Sequence, residues 1–132
     1  MRPDEQLTHL PSPPAPGALS SDATVLNGTA YVTVIPLDDS GELAGDTIES
    51  QSEAAIRELQ RVLRAVGSDL ERVAHLTIYL TDIAADRAGF NAVYAAHFTG
   101  APPVRCAVGV AALARPGMLV ELTAVAAVPT GA

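Results

Sequence analysis

The chain has 132 residues, 48% of them hydrophobic, and carries fifteen acidic residues against eight cations for a net charge of −7. That length suits one domain with one core, and the hydrophobic content excludes a disordered chain. All eight cations are arginine, which excludes Schiff-base and P-loop lysine chemistry, and the acidic balance lacks the basic footprint of a general nucleic-acid binder. The single cysteine, Cys106, permits no internal disulfide and fits a reducing, cytoplasmic setting.

Residues 1–20 contain Pro3, Pro11, Pro13, Pro14 and Pro16. Proline removes backbone donors and blocks helix, so this segment is expected to be extended or poorly ordered. Its opening, MRPDEQLTHLPSPPAPG, lacks the apolar centre of a signal peptide, and nowhere does the chain approach the roughly 18 consecutive apolar residues of a membrane span. Residues 21–130 are read as the one domain.

Two β-branched stretches flank Asn27-Gly28, a pair that accepts positive φ and signals a hairpin, with strands at about 22–26 and 29–36. Asp46 and Glu49 have the spacing of a capping box. From there Ile48, Ala55, Ile56, Leu59, Val62, Leu63 and Val66 recur at helical spacing as far as Gly67. The stretch RVAHLTIYL alternates: Ala74, Leu76, Ile78 and Leu80 on one side, His75, Thr77 and Tyr79 on the other. A second helix is expected over 86–98, burying Phe90, Val93, Tyr94 and Phe98. Strands at 104–110 and 118–128 complete the order ββαβαββ. This is an α+β fold, an α/β sandwich whose mixed sheet carries both helices on one face. The last strand is apolar on both sides, so the face away from the helices is expected to be covered by other copies of the chain in a closed oligomer.

There is no dinucleotide-binding glycine motif, Walker A sequence, nucleophile elbow or H-E-x-x-H. His9, His75 and His97 fall in a tail, a strand and a helix without metal-ligand spacing, so no metal and no cofactor is expected. Cys106 should point away from its neighbour Arg105 and is read as a small buried residue rather than a nucleophile. Two charges stand out inside apolar strands: Arg105 in PVRCAVGV and Glu121 in LVELTAV. Burying either alone is costly. Composition favours a mutual ion pair; the alternative is a pocket in which the guanidinium grips a carboxylate while Glu121 handles a proton or a water. These residues do not decide between the two.

Four blocks in order, GELAGDTIESQSEAAIRELQRVLRAVGSDLERVAHLTIYLTDI, FNAVYAAHF, PPVRCAVGVAAL and GMLVELTAVAA, resemble the Rid (YjgF-like) reactive-intermediate deaminases, also labelled L-PSP endoribonuclease-like proteins. The resemblance covers about residues 24–128. It implies a chorismate-mutase-like homotrimer with clefts between subunits and a cofactor-free hydrolysis of 2-enamino or 2-imino acids to 2-keto acids and ammonia. On the matching positions, Arg105 would anchor the substrate carboxylate and Glu121 would orient the attacking water. Cys106 would contribute its backbone, and Asn91 would lie near the cleft, although it reads equally as a surface amide. The chain departs from the family pattern at Leu19, where a tyrosine is usual, and around Thr33 and Val34, where Ser-Gly-Gln is usual. Those positions border the family's substrate pocket, so the imine accepted here is expected to differ. Two other readings stay beside this one: a protein of the same fold that binds a small carboxylate or performs a pathway-specific imine step without deaminating, and an endoribonuclease, which the charge of −7 disfavours. Neither nucleic acid nor membrane is an expected partner.

Overall fold

The computed structural model describes residues 6–129. Six strands form one sheet: β1 (Thr8–Leu10), β2 (Ala23–Leu26), β3 (Thr29–Val34), β4 (Val73–Leu80), β5 (Val104–Gly109) and β6 (Val120–Ala127). Two helices, α1 (Ile48–Ala65) and α2 (Ile83–His97), interrupt them. The sheet order is β1-β2-β3-β6-β4-β5, and β4 and β5 are its parallel pair, joined through α2 as parallel strands require.

The predicted strands and helices are all present, with one addition and several local differences. β1 comes from the proline-rich segment: its three residues pair antiparallel with β2, Thr8 opposite Val25 and Leu10 opposite Ala23. The hairpin between β2 and β3 turns on Asn27 (φ 52°) and Gly28 (φ 73°), both left-handed as that two-residue turn demands. α1 is capped by Thr47, whose hydroxyl accepts from the Ser50 N–H at 3.1 Å, so the Asp46–Glu49 capping box does not form. Its other end closes at Gly67 (φ 87°), with the Ser68 N–H on the Leu63 carbonyl and the Gly67 N–H on the Arg64 carbonyl. α2 begins three residues earlier than expected because Asp82 caps it, accepting from the Ala85 N–H.

Both helices pack on one sheet face. Ile56, Leu59 and Leu63 of α1 and Phe90 of α2 meet Leu76, Ile78, Leu80, Val120 and Leu122, all essentially without solvent exposure. The expected alternation of β4 fails at its start. A β-bulge between Val73 and His75 makes Ala74 the extra residue, so Val73 is buried and Ala74 is exposed. The helices cross closely at Gly89, where a Cβ would stand 2.7 Å from both Ile48 Cγ2 and Glu49 Oε2. Nearby His97 Nε2 lies 2.6 Å from Glu53 Oε2, tying the end of α2 to α1. Among the described residues, the other sheet face carries no helix.

Candidate functional site

Arg105 and Glu121 lie on opposite faces of the sheet. Arg105 pairs with Leu76, a fully buried residue under the helices, whereas Glu121 pairs with Tyr79, which alternates to the open side. The mutual ion pair favoured by composition is therefore absent, and the two charges do not share a sheet face. The reason is parity: Arg105 sits opposite an even-numbered residue of β4 and Glu121 opposite an odd one, and successive side chains of a strand point to opposite faces.

On the helix side, β5 is the sheet edge and α2 runs above it. Arg105 Nη2 donates to Asn91 Oδ1 at 2.5 Å, and the guanidinium carbon stands 4.5 Å from the centre of the Tyr94 ring and 6.0 Å from that of Phe90. Tyr94 in turn stacks on Phe98 with ring centres 4.4 Å apart. Every one of these partners is neutral. Amide and ring faces orient the guanidinium while leaving its charge uncompensated, the state in which it can take an external carboxylate. Asn91 is thus a support for Arg105 and no free surface amide. The two residues border an open groove of about 680 Å³, lined by Ile83, Ala84, Arg87, Ala88 and Asn91 of α2 and by Arg105 and Ala107 of β5. Three alanines make the room.

On the open side, Thr33, Thr123, Thr77 and Cys106 stand in register across β3, β6, β4 and β5. Cys106 is exposed at the edge, which corrects its reading as a buried residue: the strand parity that turns Arg105 toward α2 turns the cysteine to the uncovered face. Glu121 lies one row along and borders a broad hollow with Tyr31, Thr33, Thr123 and Val125. Partial burial pushes its carboxyl above the ordinary glutamate value. Val34 turns its side chain into the core, and Leu19 projects into solvent in the loop before β2, with Ser20 and Ser21 bordering the hollow instead. One chain thus gathers Arg105 with Asn91, and Glu121 with Thr33, in two separate places.

Two further residues were not singled out by sequence. Arg87 precedes Asn91 by one helical turn, so it lines the same groove; that stripe is visible on a helical wheel, but not that β5 lies beneath it. Gln51 is fully buried in α1. Its Nε2 donates to the carbonyls of Gly45 (3.1 Å) and Gly117 (2.8 Å), and its Oε1 accepts from the Leu119 N–H at 2.7 Å. It thereby fixes the chain two residues before Glu121. Among the described residues, no group of three or more histidine, cysteine, aspartate or glutamate side chains could hold a metal, and no helix is long and apolar enough to cross a membrane.

A mixed six-stranded sheet with two helices on one face, and an arginine presented by its edge strand, defines a class of small α+β proteins of the YjgF type. The chain belongs to the endoribonuclease L-PSP family, the YjgF/Rid proteins, whose model matches residues 11–128. It is 44% identical over 93 residues to Protein DfrA of Myxococcus xanthus, covering 70% of each chain. Protein HMF1 of Saccharomyces cerevisiae is 37% identical over 117 residues, 88% of this chain and 89% of that one. The 2-iminobutanoate/2-iminopropanoate deaminase of Mus musculus is 34% identical over 116 residues, 85% of this chain and 84% of that one. Among solved structures, NMB1025 of Neisseria meningitidis, a member of the YjgF protein family, superposes with a TM-score of 0.83 at 27% identity, covering 97% of this chain and 99% of that one.

Proposed function

We propose that this protein hydrolyses 2-imino acids, and the enamino acids from which they form, to 2-keto acids and ammonia without a cofactor. The observation that carries the reading is Arg105, braced by Asn91 and Tyr94 in an open groove and matched by no carboxylate among the described residues. The likeness to the mouse imine deaminase supports the choice of substrate. Arg105 grips the substrate carboxylate through paired N–H donors. The adjacent imine carbon is electrophilic, so chiefly orientation and one proton acceptor are needed. Glu121 takes a proton from water as the water oxygen bonds to the imine carbon, and the nitrogen takes a proton from solvent to give the carbinolamine. Glu121 then returns its proton to the nitrogen, the C–N bond breaks to release ammonia, and the hydroxyl proton passes to solvent as the carbonyl forms.

Because the two residues occupy opposite faces of one sheet, the reaction requires Glu121 from one copy of the chain beside Arg105 of another. We place this in a homotrimer whose clefts lie between subunits, the open face of each copy covered by its neighbours. Thr33 lines the cleft beside Glu121 and the backbone of Cys106 lines it beside Arg105, while Leu19 and Val34 leave out the tyrosine and glycine usual in the family.

The test supplies an amino-acid oxidase with its substrate and follows keto-acid release with and without the protein. Wild type accelerates release, whereas Arg105→Ala and Arg105→Lys lose most of the acceleration. Equal rates for wild type and Arg105→Ala overturn the proposal. Co-refolding Arg105→Ala with Glu121→Gln restores about a quarter of the activity by random assortment around a three-fold ring, since one interface in four then carries both intact residues. No restoration overturns the shared cleft. Carboxylate binding without turnover identifies a non-catalytic binder instead.

A further inference from the structure

The groove beside Arg105 carries a second guanidinium. Arg87 projects from α2 one turn before Asn91 and lines the same 680 Å³ space, with no carboxylate among the lining residues. In a chain with fifteen acids and eight cations, such a concentration of positive charge runs against the composition. Elsewhere the arginines of α1 are matched: Arg57 with Glu53, Arg61 with Glu58, Arg64 with Asp69. Arg87 has neither an ion pair nor a hydrogen bond among the described residues. Of the acids near it in sequence, Asp82 caps the helix on the Ala85 N–H, and the Asp86 carboxyl is pushed up by burial and by the like charges of Asp82 and Glu49, without a contribution from Arg87.

We infer that the groove selects 2-imino and 2-keto acids bearing a second acidic group, with Arg105 holding the carboxylate next to the reacting carbon and Arg87 the distal one. This rests on the deaminase reading of Arg105 and names the substrate class of that site. Three observations converge on it. The groove exceeds what a three-carbon acid fills. Apart from Asn91, the other side chains lining the groove are apolar, Ile83, Ala84, Ala88 and Ala107, so they accommodate a methylene linker without competing for its charged ends. Two cations with no internal anion raise the local potential for a dianion over a monoanion, where a lone arginine discriminates little.

The experiment titrates the intact protein calorimetrically, at constant ionic strength, with 2-oxoglutarate and with 2-oxobutanoate. The dicarboxylate binds wild type about 10-fold more tightly, the increment of one added charge-assisted pair at a partly exposed site. Arg87 is exposed on its helix, so Arg87→Gln keeps the fold, verified by an unchanged melting curve, and brings the ratio of the two dissociation constants to about one. Arg87→Glu reverses the preference. Equal affinities in wild type, or a ratio that Arg87→Gln leaves in place, overturn this inference while the deaminase reading stands. Failure of both keto acids to bind overturns both.

Discussion

Arg105 Nη2 and Asn91 Oδ1 stand 2.5 Å apart across the joint between β5 and α2, and this contact gives the groove its orientation. A free arginine samples many rotamers, and ordering one on substrate binding costs affinity. Asn91→Ala is therefore expected to lower kcat/KM about 10-fold, mostly through KM, with kcat within about 2-fold of wild type. Asn91→Asp should be worse, since its carboxylate satisfies the guanidinium internally. Steady-state kinetics on an oxidase-generated imine checks both; an unaltered KM for Asn91→Ala removes the amide from the support of Arg105.

Glu121 titrates above the usual glutamate range because it is partly desolvated. Between the unfolded and folded values the native state holds more protons, so stability falls as pH rises through that window. Glu121→Gln removes the penalty. Its melting temperature at neutral pH is expected to be no lower than that of wild type, while imine hydrolysis drops about 100-fold, as for loss of a proton acceptor. A clear loss of stability in the glutamine variant would mean that the carboxylate holds the fold together instead.

Gly89 is where α2 touches α1, and there a methyl group would meet Ile48 and Glu49 at 2.7 Å. Glu49 can swing aside, but Ile48 is buried and cannot. Alanine is the better helix former, so on an open helix it would stabilise; here overpacking dominates, and Gly89→Ala is expected to cost about 1–3 kcal/mol in urea unfolding. A stabilised variant would show that the helices part without cost.

Gln51 makes three hydrogen bonds from a fully buried position. Gln51→Leu keeps the volume but strands the Leu119 N–H and two glycine carbonyls. The expected loss is about 2–3 kcal/mol, the scale of unsatisfied buried groups. Because Leu119 leads into β6, activity should fall further than in a surface variant of equal stability, which parallel unfolding and rate measurements would reveal.

The hydrophobic periodicities were legible because they are local: the helical stripe from Ile48 to Leu63, the hairpin at Asn27-Gly28, and the alternation of Leu76, Ile78 and Leu80 in β4 all follow from nearest-neighbour geometry. The cap moved to Thr47 because its hydroxyl, one position along from Asp46, takes the Ser50 N–H, and Ala74 left the core because a bulge of one residue is set by pairing with the distant strand β6. The short strand at Thr8–Leu10 forms only because β2 offers an unpaired edge, which the prolines around it do not announce.

Sequence by itself singled out Arg105 and Glu121, since a charge inside an apolar strand is costly to bury without a partner or an aqueous pocket. It also determined the family, through four blocks in order. Only the tertiary structure decided where those charges go. The parallel register of β5 and the antiparallel register of β6 on the same strand, β4, set Arg105 under α2 and Glu121 on the uncovered face. Register is a long-range property, fixed by how the whole sheet buries its apolar side, and a shift of one residue would have exchanged the faces.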